Sequence, residues 1–203
     1  MARFSPSRWK FVTSAGIDVS VSAAPLVVAG QLGDLYVRDP ESHLQVFRYI
    51  SVGGGLGVGL GIRGGLRQLR AILSVLNIDF FTTEMDSGNI GTIWRGPGSP
   101  AKELTLDDFN GDSVALAAQA GAGGGGTIAL IVCAPRGTLE RIAAVASPTA
   151  VVGPSLLLSV ASIATIVSRC RCAGLMWGTT LGLQVGASVA TLYGTMRYAG
   201  PRS

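Results

Sequence analysis

Residues 174–194 read GLMWGTTLGLQVGASVATLYG, and the fold turns on how that stretch is interpreted. Gly174, Gly178, Gly182 and Gly186 fall every fourth residue, and Ala190 and Gly194 continue the rhythm. On a helix, residues four apart lie on one face. The spacing therefore predicts a shallow groove of the small-xxx-small kind through which helices associate in lipid. Glycine in a water-exposed helix costs roughly 1 kcal/mol against alanine, so such a ladder would exist for close packing. Period four also satisfies period two. Read as a strand, the same residues put Leu181, Leu183, Val185, Ala187 and Val189 on one face. The helical reading is preferred because of what surrounds it.

The surrounding sequence is long and apolar. Pro148 to Ser168 carries no charge and ends at Arg169 and Arg171; Cys172 to Met196 carries none and ends at Arg197. Each run is long enough to cross a bilayer as a helix, so residues 136–203 are expected to form an apolar helical hairpin with those three arginines flanking it. Two buried helices of a soluble protein, wrapped by the rest of the chain, fit the residues about equally well. A protein can also shield such a hairpin in one state and insert it in another.

Residues 1–135 read differently. Ile17, Val19 and Val21 alternate with Asp18, Ser20 and Ser22, the signature of a half-buried strand. After Pro25, Leu26–Ala29 and Gly33–Val37 read as further strands. Asp39-Pro40-Glu41-Ser42 then turns the chain into Leu44–Ile50, giving a hairpin. From Val52 to Ile62, Val52, Leu56, Val58, Leu60 and Ile62 share one face, while Gly53, Gly55, Gly57, Gly59 and Gly61 share the other. A bare strand face suits a site where another element approaches closely, and the C-terminal glycine segment is the expected occupant. Ser87–Trp94, Ser113–Gln119 and residues 127–134 are the remaining strands. The fold class expected is α+β, mainly antiparallel: a glycine-rich β-barrel or sandwich-like sheet in 1–135 with the helical hairpin of 136–203.

Composition narrows the function classes. The chain of 203 residues is 48% hydrophobic and 14% charged, with 29 glycines, and its mean hydropathy of +0.45 is too high for disorder. The net charge of +4 resides after residue 141, where Arg169, Arg171, Arg197 and Arg202 have no acidic residue beside them. Basic residues beside apolar runs favour an anionic membrane surface. The dense basic patch with interleaved aromatics that nucleic acid requires is missing. MARFSPSRWKF has no apolar core behind its basic residues, so the protein is expected to be made in the cytoplasm without a Sec-type signal.

Enzyme-like motifs are weak. Gly59-Leu-Gly-Ile-Arg-Gly64 fits GxGxxG, with Asp79 downstream, but follows hairpins where a βαβ unit is needed. Gly121–Gly126 leads into a strand and is followed by Thr127 where a P-loop has lysine. Arg63, Arg67 and Arg70 are spaced as one face of a helix, either solvated or interfacial. Asp107, Asp108, Asn110 and Asp112 resemble a calcium loop, yet Ser113 and Gln119 occupy the glycine and glutamate positions, and an acidic turn is the better account. His43 is the single histidine, with no serine elbow to serve. Cys133, Cys170 and Cys172 form neither CxxC nor an even set. No catalytic residue, cofactor site or metal site is expected.

The segments FSPSRWKFVTSAG, GDLYVRDPESHLQVFRYISVGGGLGVGLG, GNIGTIW, LDDFNGD and LGLQVGASVATLYG resemble a set of poorly characterised bacterial proteins with a glycine-rich β region and a glycine-rich C-terminal segment. In general build the chain is also similar to pore-forming effectors delivered between bacteria. That likeness implies a cognate immunity protein and an export machine in place of a signal peptide. The expectation is a membrane-active, non-catalytic effector in which membrane lipid is the partner and the glycine ladder drives homo-oligomerisation. The alternative is a soluble barrel-like module holding an apolar ligand or a partner helix.

Overall fold

A computed structural model describes residues 4–23, 26–57, 91–122, 125–145, 165–166, 168–180 and 185–202. The alternation of the N-terminal third becomes three long strands, β1 (Ser5–Ala23), β2 (Leu26–Arg38) and β3 (Leu44–Gly57). Leu26–Ala29 and Gly33–Val37 belong to one continuous strand, because Gly30 and Gln31 keep their places in the ladder opposite Val52 and Ser51. Next come the four-residue β4 (Thr92–Arg95), a one-turn helix α1 (Leu106–Phe109), β5 (Gly111–Ala122), β6 (Gly125–Ala134) and a second helix α2 (Thr138–Val145). The chain ends in β7 (Cys172–Thr180) and β8 (Val185–Pro201).

These eight strands close into one barrel in the order β1-β2-β3-β8-β5-β6-β7-β4. Every neighbouring pair is antiparallel. The barrel confirms the mainly antiparallel expectation and corrects the helical one. Gly174, Gly178, Gly186, Ala190 and Gly194 stand on strands; Gly182 lies outside the described residues. Strand wins because the positions between the small residues are Trp177, Thr179, Val185, Val189, Thr191 and Tyr193, the β-branched and aromatic types that favour a pleated surface. Among the described residues, no helix is long and apolar enough to cross a membrane.

The two glycine-rich stretches do meet, but edge to edge. Gly53 pairs with Leu192, Gly55 with Ala190 and Gly57 with Ser188, so β3 and β8 are adjacent staves, and the C-terminal glycine segment meets β3 as a strand in the same sheet. Gly59 and Gly61 are outside the described residues. A Cβ on Gly53 would run into the Thr191 carbonyl, and one on Gly194 into that of Ile50. Here close backbone approach is what excludes a side chain.

Register separates inside from outside. The buried cluster of Trp9, Leu35, Phe47, Ile93, Ile131, Cys133, Cys172 and Met196 fills one end of the barrel, called here the near end. Residues opposite these, and two apart from them along each strand, form the inner face. In β1 the pairing steps from Phe11↔Val37 to Thr13↔Tyr36, so Val12 is an extra, bulged residue. At the far end gather Ala23, Leu26, Gly57, Ala122, Gly125, Thr180 and Val185. On the outer face Val114, Leu116, Leu130, Val132 and Ala173 of β5–β7 are buried, whereas Leu32, Ile50 and Val52 of β2 and β3 are 50%, 55% and 66% exposed.

Candidate functional site

Three levels succeed one another along the barrel axis. The near end is a closed floor. Phe109 of α1 packs against Phe47 and Trp9 with ring centroids 4.7 and 5.0 Å away, and Phe47 meets Tyr198 at 5.4 Å. Polar bonds hold the helix there. The Trp9 indole N–H donates to the Leu104 carbonyl at 2.8 Å. Asp108 accepts from the Thr105 N–H at 2.9 Å, a reciprocal end-cap with aspartate in the third position. Asn110 Oδ1 accepts from the Tyr198 N–H at 2.6 Å. These acidic and amide side chains are therefore engaged within the fold, as a turn requires and a calcium loop does not. Next to Phe109 is an apolar cavity of about 20 Å³, lined by Leu35, Ile93, Ile131 and both Cys133 and Cys172. That is about the space of one water.

Cys133, Cys170 and Cys172 are free and buried. Burial pushes the Cys170 and Cys172 thiols well above their ordinary range, with Cys133 beside them adding to the effect. Among the described residues, no group of three or more His, Cys, Asp or Glu is placed to hold a metal ion. His43 is in the exposed β2–β3 turn, where its Nδ1 is 3.4 Å from Asp39 Oδ2.

Above the floor runs a charged belt. Arg48 Nε and Nη2 donate to the two carboxylate oxygens of Asp34 at 2.9 and 3.3 Å. The guanidinium hydrogen bonds hold the Asp34 carboxyl below its usual value, against a smaller desolvation effect. On the other side of Arg48 stands Arg197, its direct partner across β3–β8. Arg202 lies over the Tyr36 ring at 5.0 Å. Inside the barrel at this height Tyr49 lies across Gly33 and Gly16; its hydroxyl is 2.8 and 3.0 Å from where their Cβ atoms would be.

Beyond the belt the barrel is nearly free of charge. Residues 13–23, 26–33, 49–57, 113–122, 125–134, 172–180 and 185–196 include a single ionisable acid or base of the Asp, Glu, Lys, Arg class, Asp18. Among the strands, β6 spans 10 residues and β7 spans 9, and about 9 to 11 tilted residues cross a bilayer. Pairing sorts the two faces. Leu32↔Ile50 and Gly30↔Val52 share the outer face; Gln31↔Ser51 and Ala29↔Gly53 share the inner one. The β1–β2 ladder continues the pattern, with Ile17↔Leu32 and Val19↔Gly30 alternating with Asp18↔Gln31 and Ser20↔Ala29. On β2 and β3 beyond the belt the outer positions thus carry Leu32, Ile50 and Val52, and the inner ones small or polar residues.

The residues singled out in sequence fall into this frame unevenly. Gly53, Gly55, Gly57, Gly186, Ala190 and Gly194 come together on the inner face of β3 and β8. Gly174 and Gly178 lie on β7, opposite Ile131 and Thr127 of β6. Arg169 and Arg171 do not flank a helical hairpin. Arg171 pairs with the floor instead, its N–H donating to Cys133 at 2.8 Å and Nη1 to the Asp107 carbonyl at 3.2 Å. Of these three arginines, Arg197 alone is an exposed cation beside the uncharged zone. The GxGxxG segment, Asp79 and most of Pro148–Ser168 lie outside the described residues. Sequence reading missed the aromatic floor and the Asp34–Arg48–Arg197 row. The clue for the row was Asp34 and Arg48 placed symmetrically about the Asp39–Ser42 turn.

No family model matches the chain, and no solved structure matches it. It is 29% identical over 207 residues to a protein of Pseudomonas aeruginosa strain PAO1 called "Toxin protein Tse4", the alignment covering 94% of this chain and 93% of that one. Nearly the whole chain is thus similar to a bacterial toxin.

Proposed function

We propose that the protein is a membrane-permeabilising bacterial effector whose uncharged barrel half enters the bilayer as β-strands. The observation that carries this reading is the alternation beyond the belt. Apolar Leu32, Ile50 and Val52 stand exposed to the outside while Gln31, Ser51 and Gly53 share the inside. Exposed apolar surface of this kind costs stability in water and gains it in hydrocarbon. Strands β2, β3, β8, β5 and β6 each have a ladder on both sides, which satisfies their backbone groups internally, as a bilayer demands. Similarity to a named toxin over almost the full length supports the effector part of the reading. Such a toxin calls for a protective partner in the producing cell, and homo-oligomers are a route to a wider lumen than eight strands enclose.

The work is physical, and no catalytic residue is assigned. The 20 Å³ cavity near Phe109 is too small for an apolar ligand of any size, so the binding-module alternative gains nothing from it. Release of a trapped dye from liposomes tests the proposal. Native protein should empty them, and a Val52→Arg variant with an unchanged circular dichroism spectrum should not. Absence of release by native protein, with the barrel intact, would sink the reading.

A further inference from the structure

We infer that the outer face of β2, β3 and β8 at the belt is a docking surface for anionic phospholipid headgroups, through which the barrel first meets a bilayer side-on. The inference rests on the membrane reading above and names the lipid and the contact. Register sets two like-charged pairs directly opposite one another: Lys10 against Arg38 across β1–β2, and Arg48 against Arg197 across β3–β8. Like charges in that relation destabilise a sheet, so neither pair serves folding. Arg38, Arg48, Arg197 and Arg202 are all exposed. Asp34 is the one acid within the row, and Arg48 already occupies both of its oxygens. The face is left with excess positive charge, Arg48 being its one ion-paired arginine among the described residues.

What adjoins this charge selects the occupant. One and two rows toward the far end, on the same outer face, stand Leu32, Ile50 and Val52, at least half exposed. A cationic row bordering an exposed apolar row matches the boundary between phosphate and acyl chain, where basic and apolar residues act together. The opposite wall is unlike it: outward Leu130 and Val132 of β6 are buried. Contact is therefore one-sided.

The test is co-sedimentation of full-length protein with vesicles of mixed phosphatidylcholine and phosphatidylglycerol, or of phosphatidylcholine alone, each loaded with dye. Native protein should bind the mixed vesicles, bind phosphatidylcholine far less, and detach as salt is raised. Arg197→Gln should weaken partitioning about fivefold, the worth of one basic residue at an anionic surface. Arg197→Lys should restore it, and Arg136→Gln, an exposed cation between β6 and α2, should leave it unchanged. Equal binding to both vesicle types, no effect of Arg197→Gln, or an equal loss with Arg136→Gln would overturn the assignment. Competition by inorganic phosphate at constant ionic strength would also overturn it, marking a small-anion site. Binding that follows these rules without dye release defeats the pore reading alone. Release that ignores Arg197 and lipid charge defeats the docking surface alone.

Discussion

At the level of Trp9 and Phe47 the barrel is filled by interlocking rings, whereas at the level of Gly53 and Gly194 backbone lies directly against backbone. The first level is closed by side chains reaching across the lumen, helped by α1 and its hydrogen bonds. On the inner face of β3 and β8 the second sets Gly53, Gly55, Ala190 and Gly194 around one large side chain, Leu192, and it has almost no charge. The same sheet thus supports a packed near end and, further along, a wall in which exposed Leu32, Ile50 and Val52 of β2 and β3 face out. The near half is held by side-chain packing and the far half by close backbone pairing, so substitutions in the two halves should act by different routes.

The largest expected effect tests whether that wall depends on absent side chains. Gly194→Val drives a Cβ into the Ile50 carbonyl and within 2.6 Å of the Ser51 Cα. Backbone cannot yield there as a flexible side chain can, and we expect failure to fold, a loss above about 4 kcal/mol. Far-UV circular dichroism and chemical denaturation measure it; native-like stability would show that the strands have room to separate. Phe109→Ala in the floor should cost about 3 to 5 kcal/mol, the usual loss for a buried phenylalanine, seen as a lower denaturation midpoint. If it costs under 1 kcal/mol, α1 is an ornament on the barrel and the floor stands without it.

Val52→Arg sharpens the comparison from the other side. The side chain is 66% exposed, so stability in water should change little. Insertion should be disfavoured by about 2 to 4 kcal/mol if the residue reaches the bilayer midplane. Dye release set against thermal melting separates the two quantities. The smallest effect concerns the belt. Arg48 holds the folded Asp34 pKa below its ordinary value of 3.8. The pair's stabilisation is therefore present above pH 3.8 and lost as pH falls through the lower folded value. Both groups are partly exposed, so the contribution is slight. Asp34→Asn should flatten that part of the acid-unfolding curve and leave neutral stability nearly unchanged.

Much of the near half was legible because its signals are local. The Asp39–Ser42 turn reads directly as a hairpin, and Asp39 indeed accepts from the N–H groups of Glu41 and His43 at 3.0 and 2.8 Å. The acidic run at 107–112 reads as a turn, and it became α1 with its cap. The far half was harder because its marker residue is silent about period. Gly174, Gly178, Gly186 and Gly194 suit a helix face and a strand face alike, and only the intervening Trp177, Val185, Thr191 and Tyr193 break the tie. The floor could not be read at all. Trp9, Phe47 and Phe109 are far apart in sequence, and their meeting is a product of barrel closure.

Val12 has a consequence out of proportion to its size. Before it, Trp9 and Phe11 lie on the inner face; after it, the inner face passes to Ser14 and Gly16, the latter beneath the Tyr49 hydroxyl. One unpaired residue acts on β1 as a single-base insertion acts on a reading frame. Deleting Val12 would set Thr13 directly after Phe11 and close the bulge, so the ladder with β2 would run through in one phase and Ser14 and Gly16 would keep the inner face. In this chain one extra residue moves the inner face from odd to even positions along β1.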